Sequence, residues 1–170
     1  MTPWIAAMLV LLAVPAVAQH HQHDHGPYAG VQQRVVKALS EQQIADLRAG
    51  KGMGLALAAE LNGYPGPMHV LELGDKLNLT SQQRQRVQQL YAAMKAEAVA
   101  TGEKLIESET ALDQEFAAGK MTPARLMLLT TQIGEQQGAL RAVHLKYHLT
   151  TAELLSADQR QRYSELRGYR

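Results

Sequence analysis

The chain has 170 residues, a formal net charge of +1 and no cysteine. The absence of cysteine excludes disulfides, thiol catalysis and thiolate metal sites. Its 17 basic and 16 acidic side chains are so nearly balanced that neither a large basic field for nucleic acid nor a polybasic patch for a lipid surface is expected. Aromatic residues make up only 5% of the chain, so Leu, Ala and Met must build the core, which favours long helices packed along their lengths.

Residues 1–18 are predicted to be a cleaved export signal. They carry no charged side chain, and an apolar run from Trp4 to Val14 is followed by Pro15 and the small-x-small exit Ala16-Val17-Ala18. The apolar run is shorter than the roughly 20 residues that a membrane-spanning helix needs. We therefore expect a periplasmic protein without stable membrane insertion after cleavage. The alternative is anchorage to the inner membrane by an uncleaved N-terminal segment.

Residues 19–30 are predicted to be a flexible, His-rich arm, because they show no apolar periodicity. Four histidines crowd it: His20, His21, His23 and His25. Cleavage after Ala18 would leave Gln19-His20-His21 at the new terminus. A free amine, two backbone nitrogens and a third-position imidazole form the square-planar nitrogen set that Cu(II) or Ni(II) favours. Cyclisation of Gln19 would remove that amine, and the alternative is a soluble arm with incidental histidines.

Three capping boxes mark the starts of three helices beyond the arm. In each, a Ser or Thr hydroxyl accepts from the N3 amide while the N3 Gln reaches back to the cap residue. The pairs are Ser40 with Gln43, Thr80 with Gln83, and Ser156 with Gln159. The first box also carries a hydrophobic staple of Leu39 and Ile44. Shorter flanking helices are predicted over 31–39, 41–50, 55–61 and 68–77.

Two long helices are predicted in the second half of the chain. The first begins at Ser81 and runs to about Ala118 without proline, with apolar and small residues alternately four and three positions apart. Thr122 caps the second, with Pro123 at its first position, and this helix continues to about Leu154. The connection is so short that the pair must form an antiparallel hairpin over 81–154, inside a single all-helical domain over 31–170.

A turn centred near residue 120 also predicts which residues face each other. Gly102 should lie near Gly138, with Gly134 one turn away. Because glycine costs a helix interior about 1 kcal/mol relative to alanine, these three suggest a close approach of the two backbones. The alternative is that they are scattered, tolerated glycines.

The motifs Leu79-Thr80-x-x-Gln83 and Leu155-Ser156-x-x-Gln159, in an exported chain with long antiparallel helices, resemble the Spy/CpxP LTxxQ family. The similarity covers roughly residues 70–170. The resemblance implies an all-α, hooked helical hairpin that often dimerises into a curved cradle. It also implies one of two activities. Chaperone members hold unfolded clients on the concave face, whereas metal-sensing members bind nickel, cobalt, zinc or copper through His, Met and carboxylate side chains.

The hairpin offers a candidate metal site. His144 and His148 are four positions apart and therefore share a helix face. The facing positions place Glu97 near His144 and Met94 near His148, a donor set that suits a borderline transition metal. The alternative is a structural pair, with His144 ion-paired to Glu97 and His148 facing solvent.

His69 and the methionines are weaker candidates for metal ligands. His69 could add a ligand if its short helix folds over the hairpin, or it is simply a residue at a helix terminus. The methionines beyond the signal form no Met-x-x-Met cluster, so a dedicated Cu(I) thioether site is not expected. They are predicted to serve as adaptable core or as client-facing surface.

No arrangement of a nucleophile and a base points to an enzyme, and Gly50-Lys51-Gly52-Met53-Gly54 lacks the spacing of a phosphate-binding loop. We expect a periplasmic metal-responsive protein that senses or buffers a divalent Ni, Cu, Zn or Co ion, without an organic cofactor. The alternatives are an ATP-independent holdase and a purely structural envelope component. The apolar seam of a thin hairpin favours a homodimer. Unfolded envelope proteins or an envelope sensor protein are the expected further partners.

Overall fold

The computed structural model describes residue 26 and residues 28–169 of the chain. Its secondary structure in this part is helical, without strands. Residues 1–18 and all four arm histidines, His20, His21, His23 and His25, lie outside the described residues. A short 3₁₀ turn, Val31–Gln33, precedes six α-helices: α1 (Glu41–Arg48), α2 (Leu57–Glu60), α3 (Pro67–Glu72), α4 (Ser81–Ala117), α5 (Pro123–Glu153) and α6 (Ala157–Arg167).

The predicted hairpin is confirmed. Helices α4 and α5 contain 37 and 31 residues and pack against each other as the most extensive helix pair of the described chain. A rise of 1.5 Å per residue makes α4 about 55 Å long. None of the helices in the described part is long and apolar enough to cross a membrane.

Apolar clusters line the hairpin and bind the short helices to it. One joins α1 to the middle of the hairpin and contains Leu47, Ala98, Leu105, Ile106, Ile133 and Leu140. A second joins α3 and α6 to the start of α4 and contains Val70, Leu77, Val87, Leu155 and Tyr163. A third, of Leu90, Met94 and Tyr147, lies within the hairpin. The core is therefore elongated, with α1, α2 and α3 packed along the hairpin.

All three predicted capping boxes are present, and Leu39 and Ile44 pack together against the first apolar cluster. Two of the boxes also contact each other. The Gln83 side-chain amide donates to Gln159 Oε1 at 2.9 Å, and the Gln159 amide donates back at 3.2 Å. The same two amides also donate to the Leu154 and Leu77 carbonyls. The two LTxxQ-like motifs therefore fasten the start of α4 to the start of α6.

The predicted flanking helices were too long. Only the 3₁₀ turn forms within 31–39, since Arg34 adopts an extended backbone at its end. Helix α2 is confined between Gly54 and Gly63, whose positive φ angles of 81° and 85° are those of helix-terminating residues. The chain also leaves the helical path soon after α3, where Asn78 has a φ of 51°. These loops set the directions in which α2 and α3 approach the hairpin.

The predicted close approach at glycines occurs, but with a different helix. A Cβ on Gly102 would lie 3.0 Å from the Leu47 carbonyl oxygen, so it is α1 that crosses α4 closely here. A Cβ on Gly134 or Gly138 would meet nothing within 4 Å. The prediction that Gly102 faces the α5 glycines is therefore wrong, and those two are tolerated glycines on an open face.

Candidate functional site

A cavity of about 520 Å³ lies where the 49–54 loop, α2 and the start of α3 meet the hairpin. We call it the His/Met cavity, after three imidazoles and three thioethers in its lining: His69, His144, His148, Met53, Met68 and Met94. A larger cavity of about 910 Å³, beside α5 and α6, has neither residue type in its lining. The imidazoles and thioethers of the described residues are thus concentrated in the smaller cavity.

His144 is the most unusual side chain of the cavity. It is only 2% exposed, and its Nε2 is buried without a hydrogen-bond partner among the described residues. Burial, and secondarily the charge of nearby His148, lowers the pKa of His144 and so favours the neutral imidazole. A neutral imidazole with an unpartnered ring nitrogen is the form that ligates a metal ion.

His148 lies one turn further along α5 and is oriented by the backbone. Its Nδ1 is 2.7 Å from the Tyr64 carbonyl oxygen. Because a carbonyl only accepts, Nδ1 is the nitrogen that carries a proton, and in the neutral imidazole the lone pair is therefore on Nε2. Histidines that ligate metals are commonly oriented by such a bond. Nε2 is directed at Gly66, where a Cβ would lie only 2.7 Å away, so glycine at this position leaves space for the ring.

Glu60, on α2, is a buried carboxylate that the sequence did not single out. Its oxygens accept from the Tyr163 hydroxyl, from the Tyr169 hydroxyl at 3.1 Å and from the Gly66 amide at 3.2 Å. Burial, and then the bond to Glu60, raises the pKa of Tyr163. His148 Nδ1 lies 3.6 Å from Glu60 Oε2. Glu60 therefore ties α2 to the C-terminal region and to the His148 side of the cavity.

Of the five metal ligands predicted outside the arm, the cavity brings together four, namely His69, His144, His148 and Met94, but not Glu97. Glu97 instead accepts from Lys146 Nζ and from the Tyr147 hydroxyl, each at 2.6 Å. The Lys146 bond, followed by the Tyr147 bond, lowers the pKa of Glu97.

The predicted pairing of Glu97 with His144 is therefore wrong, because the hairpin register places later residues of α5 opposite Glu97. The alternative is wrong as well, since His148 is 8% exposed and does not face solvent. His69 Nδ1 donates to Glu72 Oε2 at 2.9 Å, within α3.

Met53 and Met68 were missed as members of this site. Met53 has a φ of 44° and lies in a glycine-rich loop, whereas Met68 follows the Tyr64-Pro65-Gly66-Pro67 corner. No sequence periodicity indicates where such segments go. The only available signal was the co-occurrence of a Gly-Met-Gly loop and a Pro-Met-His helix start between the first capping box and the hairpin.

The cavity does not fit the predicted divalent donor set. Within residue 26 and residues 28–169, no three side chains drawn from His, Asp and Glu converge in a way that could hold a metal ion. Glu97 is absent from the lining, and Glu60 is already engaged by several donors. What remains is a set of neutral imidazole and thioether donors.

No family model, no curated protein and no solved structure matches this chain. The LTxxQ resemblance thus depends on the two motifs themselves.

Proposed function

We propose that this chain is a periplasmic metal-responsive protein of the LTxxQ type, which senses or buffers a transition-metal ion in the cell envelope. One observation carries the proposal: His144, whose buried Nε2 has no hydrogen-bond partner among the described residues, lines a cavity together with His148. Leaving a buried polar atom unpaired costs about 1–3 kcal/mol. A bound metal ion would satisfy this atom and would provide a reason for keeping histidine there.

The His-rich arm would supply a second site. If export removes residues 1–18, the terminal amine and the His21 imidazole could hold a divalent Cu or Ni ion in a square plane. His20, His23 and His25 would add imidazoles for Zn or Co. This site would be independent of the cavity, and variants can therefore separate the two.

A titration of the mature, full-length protein with Ni(II), Co(II), Cu(II), Zn(II) and the Cu(I) analogue Ag(I) tests the proposal. We expect at least one ion to bind more tightly than about 10 µM. Two variants divide the signal between the sites: His144→Leu removes the buried imidazole without leaving a new unpaired polar atom, whereas replacing the four arm histidines by Gln removes the arm site. Failure of every ion to bind the wild type would refute the proposal.

A holdase is the second candidate, and exposed apolar side chains near the hairpin turn favour it. Phe116, Met127 and Leu128 are 57%, 66% and 47% exposed, and such surfaces commonly bind other proteins. Unfolded envelope proteins would be its clients, whereas the metal-responsive protein would act on an envelope sensor protein. Suppression of client aggregation by metal-free protein, lost on serine substitution of Phe116 and Met127, would support this role.

We further propose a homodimer, in which a second copy would cover the apolar side chains exposed on α5, Met127, Leu128 and Leu149. Sedimentation of the mature protein at several concentrations tests this. A monomer at the highest concentration would remove the proposal.

A further inference from the structure

Three thioethers from separate segments line the His/Met cavity. Five methionines follow the predicted signal, and three of them, Met53, Met68 and Met94, line this one cavity. Met94 is 7% exposed, whereas Met53 and Met68 are 42% and 40% exposed. An entering ion could therefore meet accessible thioethers before the buried one. The fold thus assembles from three separate segments the methionine cluster that local spacing did not predict.

The charges around the cavity disfavour a divalent cation. Glu60 is the single acidic side chain in the described lining, which also includes Lys51 and Lys95. The Glu60 carboxylate accepts from two tyrosine hydroxyls and a backbone amide. No free carboxylate of the lining is therefore left to offset a double positive charge. The Lys95 ammonium would repel it, whereas that of Lys51 is paired with Asp46 at 2.8 Å. A singly charged ion that prefers neutral donors is better matched.

The buried imidazole of His144 completes a soft donor set. Its Nε2 has no hydrogen-bond partner among the described residues, whereas His148 is held by the bond from Nδ1 to the Tyr64 carbonyl and its Nε2 is directed at Gly66. Thioether sulfur selects Cu(I) among the first-row metals, and imidazole is compatible with it.

We propose that the His/Met cavity binds one soft monovalent ion, Cu(I) or its analogue Ag(I), through the Met53, Met68 and Met94 thioethers and the His144 imidazole. This proposal rests on the proposed metal-responsive function and specifies the class of ion.

Methyl NMR of the mature protein tests it at single-residue resolution. The full-length protein after signal removal, with the four arm histidines replaced by Gln, is labelled with ¹³C-methyl methionine and titrated with Ag(I) in halide-free buffer. We expect the Met53, Met68 and Met94 methyl resonances to shift up to one equivalent. Those of Met121 and Met127, which are not in the cavity lining, serve as internal controls. Zn(II) and Ni(II) should leave all five resonances in place.

Affinity measurements with matched variants complete the test. Met94→Leu keeps side-chain size while removing one sulfur, and it should weaken Ag(I) binding at least about tenfold, since even the loss of an indirect metal contact costs that much. Met127→Leu, outside the cavity, should bind Ag(I) like the parent. If circular dichroism shows that Met94→Leu is misfolded, the double variant Met53→Leu/Met68→Leu, at exposed positions, replaces it with the same expectation.

Four outcomes overturn the proposal in distinguishable ways. Binding of Zn(II) or Ni(II) by the wild type, with no response of the cavity methionines to Ag(I), would refute it and leave the metal-responsive function intact. Absence of binding by any ion would refute both. Equal Ag(I) shifts at Met121 and Met127 would indicate non-specific thioether binding. Cavity shifts caused only by an unfolded polypeptide would identify a client site.

Discussion

Replacing Gly66 by alanine is the sharpest structural test of the cavity. Gly66 precedes α3 with φ of −80° and ψ of 151°, values that alanine adopts without strain. The added Cβ would nevertheless lie 2.7 Å from His148 Nε2 and 2.8 Å from its Cε1. Comfortable contact requires about 3.5 Å, so the ring or the start of α3 must move by several tenths of an ångström.

The energetic cost follows from what holds the ring. Moving His148 strains its 2.7 Å contact with the Tyr64 carbonyl, a bond worth about 1 kcal/mol, and overpacking of this kind costs about 1–3 kcal/mol. We therefore expect Gly66→Ala to lower the free energy of unfolding by about 1–3 kcal/mol. Urea denaturation of the metal-free protein, followed by circular dichroism at 222 nm, measures it.

Gly52→Ala is the matched control on the other side of the cavity. Its Cβ would lie 3.7 Å from His144 Nδ1, an ordinary contact, so its free energy of unfolding should stay within about 0.5 kcal/mol of the wild type. If both variants proved equally stable, His148 would not be held against Gly66, and the description of the cavity would be refuted.

Three further predictions concern the helices and pH. Gly134→Ala should raise the free energy of unfolding by about 1 kcal/mol, whereas Gly102→Ala should raise it less or lower it, since the added Cβ meets the Leu47 carbonyl at 3.0 Å. Equal increases for the two variants in urea denaturation would contradict this packing. Burial raises the pKa of Glu109 above 4.5, so the wild type loses stability as the pH rises through the raised pKa. Glu109→Gln should therefore be about 1 kcal/mol more stable than the wild type at pH 7, with a smaller difference at pH 4; a pH-independent difference would argue against burial as the cause. The pKa of His144 is lowered from 6.5, so the metal-free wild type should lose stability as the pH falls below 6.5. His144→Leu should lose less stability between pH 7.5 and 5, and equal losses for the two proteins would contradict the burial of this imidazole.

The helix starts could be predicted because their signals are local. Each capping box and the Thr122-Pro123 pair involve residues within four positions of each other, so the sequence itself contains the interaction. The side-chain contact between Gln83 and Gln159 could not be predicted, because it joins residues 76 positions apart. A capping motif identifies a helix start but contains no information on which other start it will contact.

The hairpin register was predicted only approximately. A turn centre near residue 120 predicts the facing residues correctly close to the turn, where Glu115 pairs with Arg125. Farther from the turn, the predicted facing residues are wrong by two or three positions, and Glu97 contacts Lys146 and Tyr147 rather than His144. An error of two positions moves a residue to the opposite face of a helix, because each residue turns by about 100°. An error of three positions keeps the face but moves the residue by most of a turn along it.

The candidate site likewise contains some residues that local spacing predicts and others that only tertiary contacts place. His144 and His148 share a face by spacing alone, so their proximity could be predicted. Met53, Met68 and Glu60 come from loops and short helices whose directions depend on glycine conformations and tertiary contacts. With the Met53 and Met68 thioethers, which the sequence did not predict, the proposed donor set favours a soft monovalent ion rather than a borderline divalent one.

The most direct test is to locate the metal by anomalous diffraction. Crystals of the mature protein grown with one equivalent of Ag(I), and separately with Zn(II), would each be measured at wavelengths that identify the ion. We predict a silver peak inside the His/Met cavity, within bonding distance of His144 Nε2 and at least one thioether sulfur. A cavity without a peak, in crystals whose protein is saturated with metal elsewhere, would contradict the existence of this site.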